Sequence, residues 1–170
     1  MPFATEDWPT VLSHLVNLAV AFGLALPIGW DNERHERSAG VRTFPLVAMA
    51  SCGFVLVAVS VLGKDAQANA RVMEGLITGV GFVGDGAIIK TASRASGTAT
   101  AASLWVTGAL GAAVGYGLYD IAAILSVVTF ATLRGMRPLK EAAKSDPAPA
   151  GTTLEAAPAQ QTQSRSIPTD

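Results

Sequence analysis

The chain has 170 residues, of which 50% are hydrophobic and 15% are charged, and its mean hydropathy is +0.40. A soluble domain carries about 25% charged residues, so this composition excludes an ordinary soluble enzyme. The formal net charge is −1 and no basic block stands outside the loops, which excludes nucleic acid as an expected partner. The composition predicts a membrane protein whose first partner is the lipid bilayer.

Five apolar stretches follow one another along the chain, each about long enough to cross a bilayer as a helix at ~1.5 Å rise per residue. Because the runs are continuous rather than alternating, helices are favoured over a β-barrel. The predicted helices cover residues 10–30, 44–63, 71–90, 98–115 and 118–134. Residues 1–9 lack the features of a cleaved secretory signal, so the first stretch is expected to remain as a helix.

Lysine and arginine in the loops determine how such a chain inserts. With the N-terminus outside, only Lys64 and Arg71 remain outside, and the other loop residues of this kind are cytoplasmic. The cytoplasmic set is Arg34, Arg37, Arg42, Lys90, Arg94, Arg134, Arg137, Lys140 and Lys144. The predicted fold class is therefore an all-α membrane protein with five transmembrane helices, a periplasmic N-terminus and a cytoplasmic tail. The expected location is the bacterial inner membrane.

The segment between the first two spans is the most charged part of the chain. Its arginines, Arg34 and Arg42 among them, suit a positive-inside anchor. That role does not account for its acidic residues, such as Asp31. A cytoplasmic docking or regulatory surface is the alternative interpretation.

The third stretch places two carboxylates, Glu74 and Asp85, in apolar sequence. At about 100° per residue, Asp85 returns to within about 20° of Glu74, and Thr78 and Gly81 share that face. The two carboxylates are about 16 Å apart along the axis, too far to bind one magnesium ion within one chain. This polar face is a candidate functional site, as a relay or as two separate sites, and metal binding stays open.

A charged side chain at mid-membrane costs at least about 2.5 kcal/mol, so such residues normally face protein, a partner or water. Glu74 has a simple alternative role, hydrated near the outer interface or paired with Arg71. Asp85 is expected to lie deeper, without a partner in its own helix. The sequence predicts that Asp85 is neutral, paired with another helix or hydrated.

Glycines are dense in the third and fourth spans. Gly75 with Gly79, and Gly111 with Gly115, are four residues apart, a spacing that lets helix backbones approach closely in lipid. Tight packing is one interpretation, and a homo-oligomeric interface or a break lining a cavity is the other. The candidate packing glycines are Gly75, Gly79, Gly81, Gly84, Gly86, Gly111 and Gly115.

Hydroxyl side chains line one face of the fourth span, where Thr100, Ser103 and Thr107 recur at helical spacing. They could hydrogen-bond across to the third span, either as packing contacts or as part of its polar face. We include Thr100 and Ser103 in the candidate polar face for this reason.

Residues 138–170 are rich in Ala, Pro, Gln, Ser and Thr and hold almost no large apolar side chain. Such a segment cannot bury enough surface to offset its chain entropy, so a disordered cytoplasmic tail is expected, either solubilising or docking. The sequence shows no nucleophile with a base, no histidine–carboxylate ligand set and no phosphate loop. The protein is therefore not expected to be an enzyme or to hold a cofactor.

Three stretches carry a family resemblance: SAGVRTFPLVA at 38–48, LITGVGFVGDGAIIK at 76–90 and GTATAASLWVTGALGAAVG at 97–115. In order and spacing they resemble the transmembrane domain of the MgtC/SapB family, over about residues 10–140. The resemblance implies a plasma-membrane protein linked to growth under magnesium limitation, survival inside host cells and restraint of ATP synthase. The family positions it carries over are Asp31, Gly40, Arg42, Thr43, Gly81, Phe82, Gly84, Gly86, Thr100, Ala101, Ala102 and Trp105.

The chain departs from the family pattern in three places. Asp31 stands where the family usually has glutamate, and Asn32 follows it where many relatives have arginine, so a family ion pair there is missing or re-formed with Arg34. Asp85 replaces a residue that is usually small. The best-known members also carry a soluble domain after the last span, whereas this tail is short and biased in composition.

The residues and the resemblance together predict a non-enzymatic membrane protein that modulates magnesium or ion homeostasis or a membrane ATPase complex. The chain is expected to self-associate, and a membrane ATPase or transporter is the expected protein partner. The alternative is a small oligomeric ion transporter or channel that uses Asp85 and Glu74. A scaffold that binds no ligand is the third hypothesis.

Overall fold

A computed structural model describes residues 8–35, 39–91 and 94–136, and these form a bundle of helices. The helices are α1 (Trp8–His35), α2 (Thr43–Leu62), α3 (Ala66–Gly86), α4 (Thr98–Gly115) and α5 (Tyr119–Gly135). The helical fold class is confirmed for this part of the chain. A second unit, residues 138–170, contains the predicted tail and lies outside the described residues, as does the predicted N-terminal segment up to residue 7.

Three of the helices, α1, α2 and α4, are long and apolar enough to cross a membrane by length and composition. Among the described helices, α3 and α5 do not meet that criterion, because α3 carries polar residues and α5 has only 17 residues. Long apolar helices of this kind bury their backbone polar groups internally and are suited to lipid. The protein is therefore a membrane protein with at least three candidate spans.

Helix α1 extends beyond the predicted span, which ended at residue 30, and continues to His35. No glycine or proline follows Gly29 within the helix, so the chain keeps its helical hydrogen bonds after the apolar run has ended. Asp31 and Arg34, which were expected in a loop, therefore lie on the last turns of α1. Hydropathy marks the hydrocarbon core, and it does not mark the end of a helix.

Helix α3 is shifted toward the N-terminus relative to the predicted span 71–90. It begins at Ala66 because the Asp65 side chain accepts hydrogen bonds from the backbone N–H groups of Gln67 and Ala68, both at 3.0 Å. It ends at Gly86, and the chain then forms a short antiparallel pair of strands, β1 (Ile89–Thr91) and β2 (Arg94–Ser96). The predicted residues 87–90 are thus not helical.

The strand pair leads into α4 through Gly97, which has a φ of +85°. A Cβ at this position would collide with the carbonyl oxygen of Ala87, at the end of α3. Glycine is required here both by the left-handed backbone and by this close approach. Gly97 therefore sets how tightly the chain returns from α3 to α4.

Helix α4 lies at the centre of the bundle, in contact with each of the other four helices. Its glycines make this possible. A Cβ on Gly111 would collide with the Ala48 carbonyl oxygen of α2, and one on Gly115 would lie 2.7 Å from the Val55 Cβ. The backbones of α4 and α2 therefore approach more closely than any larger residue would allow, as expected where lipid offers no hydrophobic drive for packing.

Helices α1 and α5 pack against each other through two polar contacts. The Ser126 hydroxyl donates to the Leu24 carbonyl oxygen at 2.7 Å. The Tyr119 hydroxyl, at the start of α5, donates to the Asn17 side-chain oxygen. These contacts join the last helix to the first and complete the bundle around α4.

We expect Gly111→Ala to lower the stability of the bundle by about 1–3 kcal/mol, because its methyl group would overlap the Ala48 carbonyl unless α2 and α4 move apart. Thermal unfolding of the purified protein in detergent, followed by circular dichroism, measures this effect. Gly23→Ala is the matched control, since nothing lies within 4 Å of its Cβ position. Equal unfolding temperatures for the two variants would contradict the close contact.

Candidate functional site

A buried polar cluster joins the end of α1 to α4. The Asn32 side chain, 3% exposed, donates from its amide nitrogen to Ser103 Oγ at 3.3 Å and to the Ile28 carbonyl oxygen at 3.3 Å. Its side-chain oxygen accepts from Thr100 Oγ1 at 3.2 Å. The amide thus bridges two hydroxyl groups that stand one helical turn apart on α4.

The same cluster continues along α4. Ser103 Oγ donates to the Thr100 carbonyl oxygen at 2.9 Å, and Thr107 Oγ1 donates to the Ser103 carbonyl oxygen at 2.8 Å. Thr100 and Thr107 are fully buried. Burying an amide or a hydroxyl costs free energy unless it is hydrogen-bonded, and here each group has a partner within the cluster.

Asp31 lies directly before this cluster and is only 5% exposed. It also has an interaction partner of its own. Asp31, one of the positions carried over by the family resemblance, is therefore buried at the end of α1, next to Asn32. Ala39, the first residue described after α1, is buried too.

A second contact fixes the junction between α1 and α2. The Glu33 carboxylate accepts a hydrogen bond from the backbone N–H of Val41 at 2.6 Å. A Cβ on Gly40 would collide with the Glu33 side chain, and one on Gly29 would lie 3.2 Å from the Gly40 carbonyl oxygen.

The Gly40 carbonyl oxygen also begins α2, because it accepts hydrogen bonds from the backbone N–H groups of Thr43 and Phe44. Glu33 and the two glycines therefore hold the start of α2 against α1.

Of the predicted loop residues, Arg34 and Arg42 are exposed. The Arg34 guanidinium lies 5.1 Å from the centre of the Trp30 ring, within the range of a cation–π contact. Arg42 precedes α2 and makes no side-chain capping bond, and Thr43 is the first residue of α2. The structure gathers these side chains at one end of the bundle, the end that holds Asn32.

The candidate polar face of α3 is placed differently from expectation. Glu74, Thr78 and Asp85 are all exposed on the outer side of α3, and the Thr78 hydroxyl donates to the Glu74 carbonyl oxygen at 2.8 Å. Asp85 lies in the last turn of the helix rather than deep within it. Thr100 and Ser103 bond to α1 instead of α3, so the structure does not bring the five predicted residues together.

The glycines of α3 differ from those of α4. Only Gly84 makes a close approach, with its Cβ position 3.3 Å from the Ala101 carbonyl oxygen. The other four have nothing within 4 Å of their Cβ positions, so their predicted packing contacts are not formed within the described bundle. These open glycines are Gly75, Gly79, Gly81 and Gly86.

Gly75 and Gly79 border an open cleft of about 490 Å³ between α2 and α3. The cleft is lined mainly by apolar side chains, with Ser51 and Phe54 on the α2 side. Among the described residues, no group of three His, Cys, Asp or Glu side chains is arranged to hold a metal ion. The polar chemistry of the interior is therefore concentrated in the Asn32 cluster, and the open space is apolar.

A family model described as the MgtC family matches residues 18–142. The chain belongs to the MgtC family. The match covers α1 from Leu18, the Asn32 cluster and all of the other described helices. The resemblance found from the three sequence stretches is thereby confirmed.

Three relatives are 34–39% identical to the chain over the residues that align. Protein SrpB of Synechococcus elongatus is 39% identical over 81% of this chain and 80% of its own length. Protein MgtC of Brucella abortus is 36% identical over 78% of this chain, and YhiD of Escherichia coli K12, whose name proposes a magnesium transporter, is 34% identical over 71%. The chain spans 55% and 57% of the lengths of these last two. No solved structure matches the chain.

Two residues of the candidate site, Asn32 and Glu33, were not selected as candidates from the sequence. The helical period offered a signal for Asn32. Ala21, Ala25 and Ile28 form the buried stripe of α1, and Asn32 continues that stripe by one turn. Extending the period beyond the apolar run would have placed Asn32 inside the bundle. Nothing local identified Glu33, because its partner Val41 lies beyond the end of the helix.

We expect Thr100→Val to destabilise the bundle by about 1–3 kcal/mol, because the Asn32 side-chain oxygen would lose its donor while it stays buried. The double variant Thr100→Val with Asn32→Leu should cost less than the sum of the two single variants, since it leaves fewer unpaired groups. Denaturant unfolding of the four proteins measures the coupling. Thr132→Val, at an exposed position of α5, is the control. Additive effects would show that the two side chains are not coupled.

Proposed function

We propose that this protein is a non-enzymatic inner-membrane protein that modulates magnesium or other ion homeostasis, or a membrane ATPase complex. In this proposal all five helices are membrane segments, with the N-terminus outside and the tail in the cytoplasm. The working surface is the cytoplasmic end of the bundle, where α1, α2 and α4 meet around Asn32 and Glu33.

Family membership is the observation that carries the proposal. The matched region includes the described contacts of the Asn32 cluster, and the relatives include proteins named MgtC and one whose name proposes magnesium transport. The chain spans little more than half of the length of those relatives. The activity of the full-length relatives is therefore assigned to this chain only as part of the proposal.

The geometry favours a modulator over a transporter. An ion path requires polar groups that face water or an open channel. Here the interior polar groups of Asn32, Thr100 and Ser103 bond to one another, and the open cleft between α2 and α3 is lined mainly by apolar side chains. A closed cluster of this kind suits a fixed junction that presents a surface to another membrane protein.

The orientation makes a direct prediction. Lys64 lies in the exposed turn between α2 and α3, and Arg42 lies in the exposed turn before α2, at the opposite end of the bundle. In a Cys52→Ala background, Lys64→Cys should react with a membrane-impermeant maleimide in intact spheroplasts. Arg42→Cys should react only after permeabilisation. The reverse pattern would place the N-terminus inside.

The functional prediction is tested with the purified protein in liposomes that contain a magnesium-sensitive dye. We expect no magnesium entry above that of protein-free vesicles. In a bacterium that lacks its own MgtC-family gene, the chain should support growth at low magnesium, and Asn32→Leu should remove at least most of that support. Thr132→Val, on the exposed surface of α5, should leave growth unchanged.

A transporter is the second candidate, favoured by the exposed carboxylates of Glu74 and Asp85 on α3. It predicts magnesium flux in the same liposomes, and flux that falls in Glu74→Gln or Asp85→Asn. Such flux would overturn the modulator proposal. Its absence, with low-magnesium growth that depends on Asn32, would overturn the transporter.

A further inference from the structure

Helix α3 presents two contrasting faces. The inner face packs on α2 and α4, with Val80 and Gly84 buried. The outer face carries an exposed seam with the spacing i, i+4, i+7, i+11 and i+14, alternating steps of four and three residues. The seam consists of Arg71, Gly75, Thr78, Phe82 and Asp85. Phe82 is 81% exposed, so this face is not covered by the rest of the bundle.

The seam lies at the depth of the apolar part of α2. Helices α2 and α3 are joined by the turn at residues 63–65, and the cleft between them brings Gly75 level with Ser51 and Phe54, near the middle of α2. Helix α2 is the most apolar of the described helices. With α3 as a membrane segment, on which this inference rests as part of the proposed function, Arg71, one turn before Gly75, and Glu74 stand where hydrocarbon would surround a single bundle.

A charge at that depth is costly unless it faces protein, a partner or water. Arg71 and Glu74 are both exposed, and no ion pair joins them among the described residues. The backbone here also leaves room for a helix partner, because Gly75, the seam residue at the border of the α2–α3 cleft, has nothing within 4 Å of its Cβ position. A free bundle thus leaves two opposite charges turned toward lipid.

We propose that a second copy of this chain covers this face through a parallel α3–α3 contact. Two copies inserted in the same direction are related by an axis along the membrane normal, so their α3 helices run parallel. In such a two-fold interface, residue i of one copy meets residue j of the other, and j meets i. Arg71 of each copy then meets Glu74 of the other.

The geometry makes this pairing self-complementary. Arg71 and Glu74 are three residues apart, about 4.5 Å along the axis, a distance that an arginine side chain spans easily. Each copy supplies one donor and one acceptor, so both charges are paired without a different partner. Asp85 would stand near its counterpart, but it lies in the last turn of α3, where water is close. The inference does not depend on which ion or complex the protein serves.

Disulfide cross-linking tests the contact in the full-length protein. In a Cys52→Ala background, Thr78→Cys lies in the middle of the seam, and Val127→Cys, on α5 and 67% exposed, is the control near the middle of another helix. Oxidation in native membranes should convert Thr78→Cys to a species of twice the chain mass at least tenfold faster than Val127→Cys. Equal rates, or a Thr78→Cys product with a different polypeptide, would overturn the proposal.

Charge reversal separates contacts between copies from contacts within one chain. Arg71→Glu and Glu74→Arg should each lower self-association about tenfold or more, because each places like charges across the interface. Two differently tagged copies, one Arg71→Glu and the other Glu74→Arg, should co-purify again, since opposite charges then meet only between copies. Recovery in the mixture also shows that both variants fold. Failure of the mixture to recover, or a wild-type protein that stays monomeric in membranes, would overturn the proposal.

Discussion

The close approach of α4 to α2 is the contact on which the rest of the bundle depends. Gly111 leaves room for the Ala48 carbonyl oxygen, and Gly115 leaves room for Val55, so two backbones meet without side chains between them. In lipid, apolar side chains gain nothing by leaving the solvent, and van der Waals contact between close backbones drives association instead. Because α4 can sit this deep, it reaches all four other helices.

The central position of α4 explains the character of the polar cluster. A helix that contacts four others must satisfy within the protein the hydroxyl groups that it buries, and Thr100 and Ser103 do so through Asn32 and through their own backbone. A neutral amide fits this place, since it offers both a donor and an acceptor without the desolvation cost of a buried charge. The cluster therefore fixes α1 against α4, and the Glu33 contact to Val41 then fixes α2.

Among the described residues the charged side chains lie mostly at the surface, and Asp31 at the end of α1 is the buried exception. Arg34 and Arg42 are exposed at the end of the bundle that holds Asn32, and Arg71 and Glu74 are exposed on α3. Exposed charges in these places suit contacts with other molecules at the ends and outer faces of the bundle. That arrangement is consistent with both the modulator function and the contact between two copies, and the two proposals use different surfaces.

The sequence by itself determined the helical fold class, the membrane environment and the family, because these follow from long apolar runs and from three local motifs. It also located α4 at residues 98–115, because Gly97 just before the helix and Gly115 as its last residue mark the two ends locally. Only the tertiary structure decided which partner each polar group has. Thr100 faces α1 rather than α3, and Glu33 reaches across a turn to Val41, because helix packing brings distant residues together. Helix α3 ends at Gly86 and not at residue 90, which turned Asp85 from a deep residue into a terminal one.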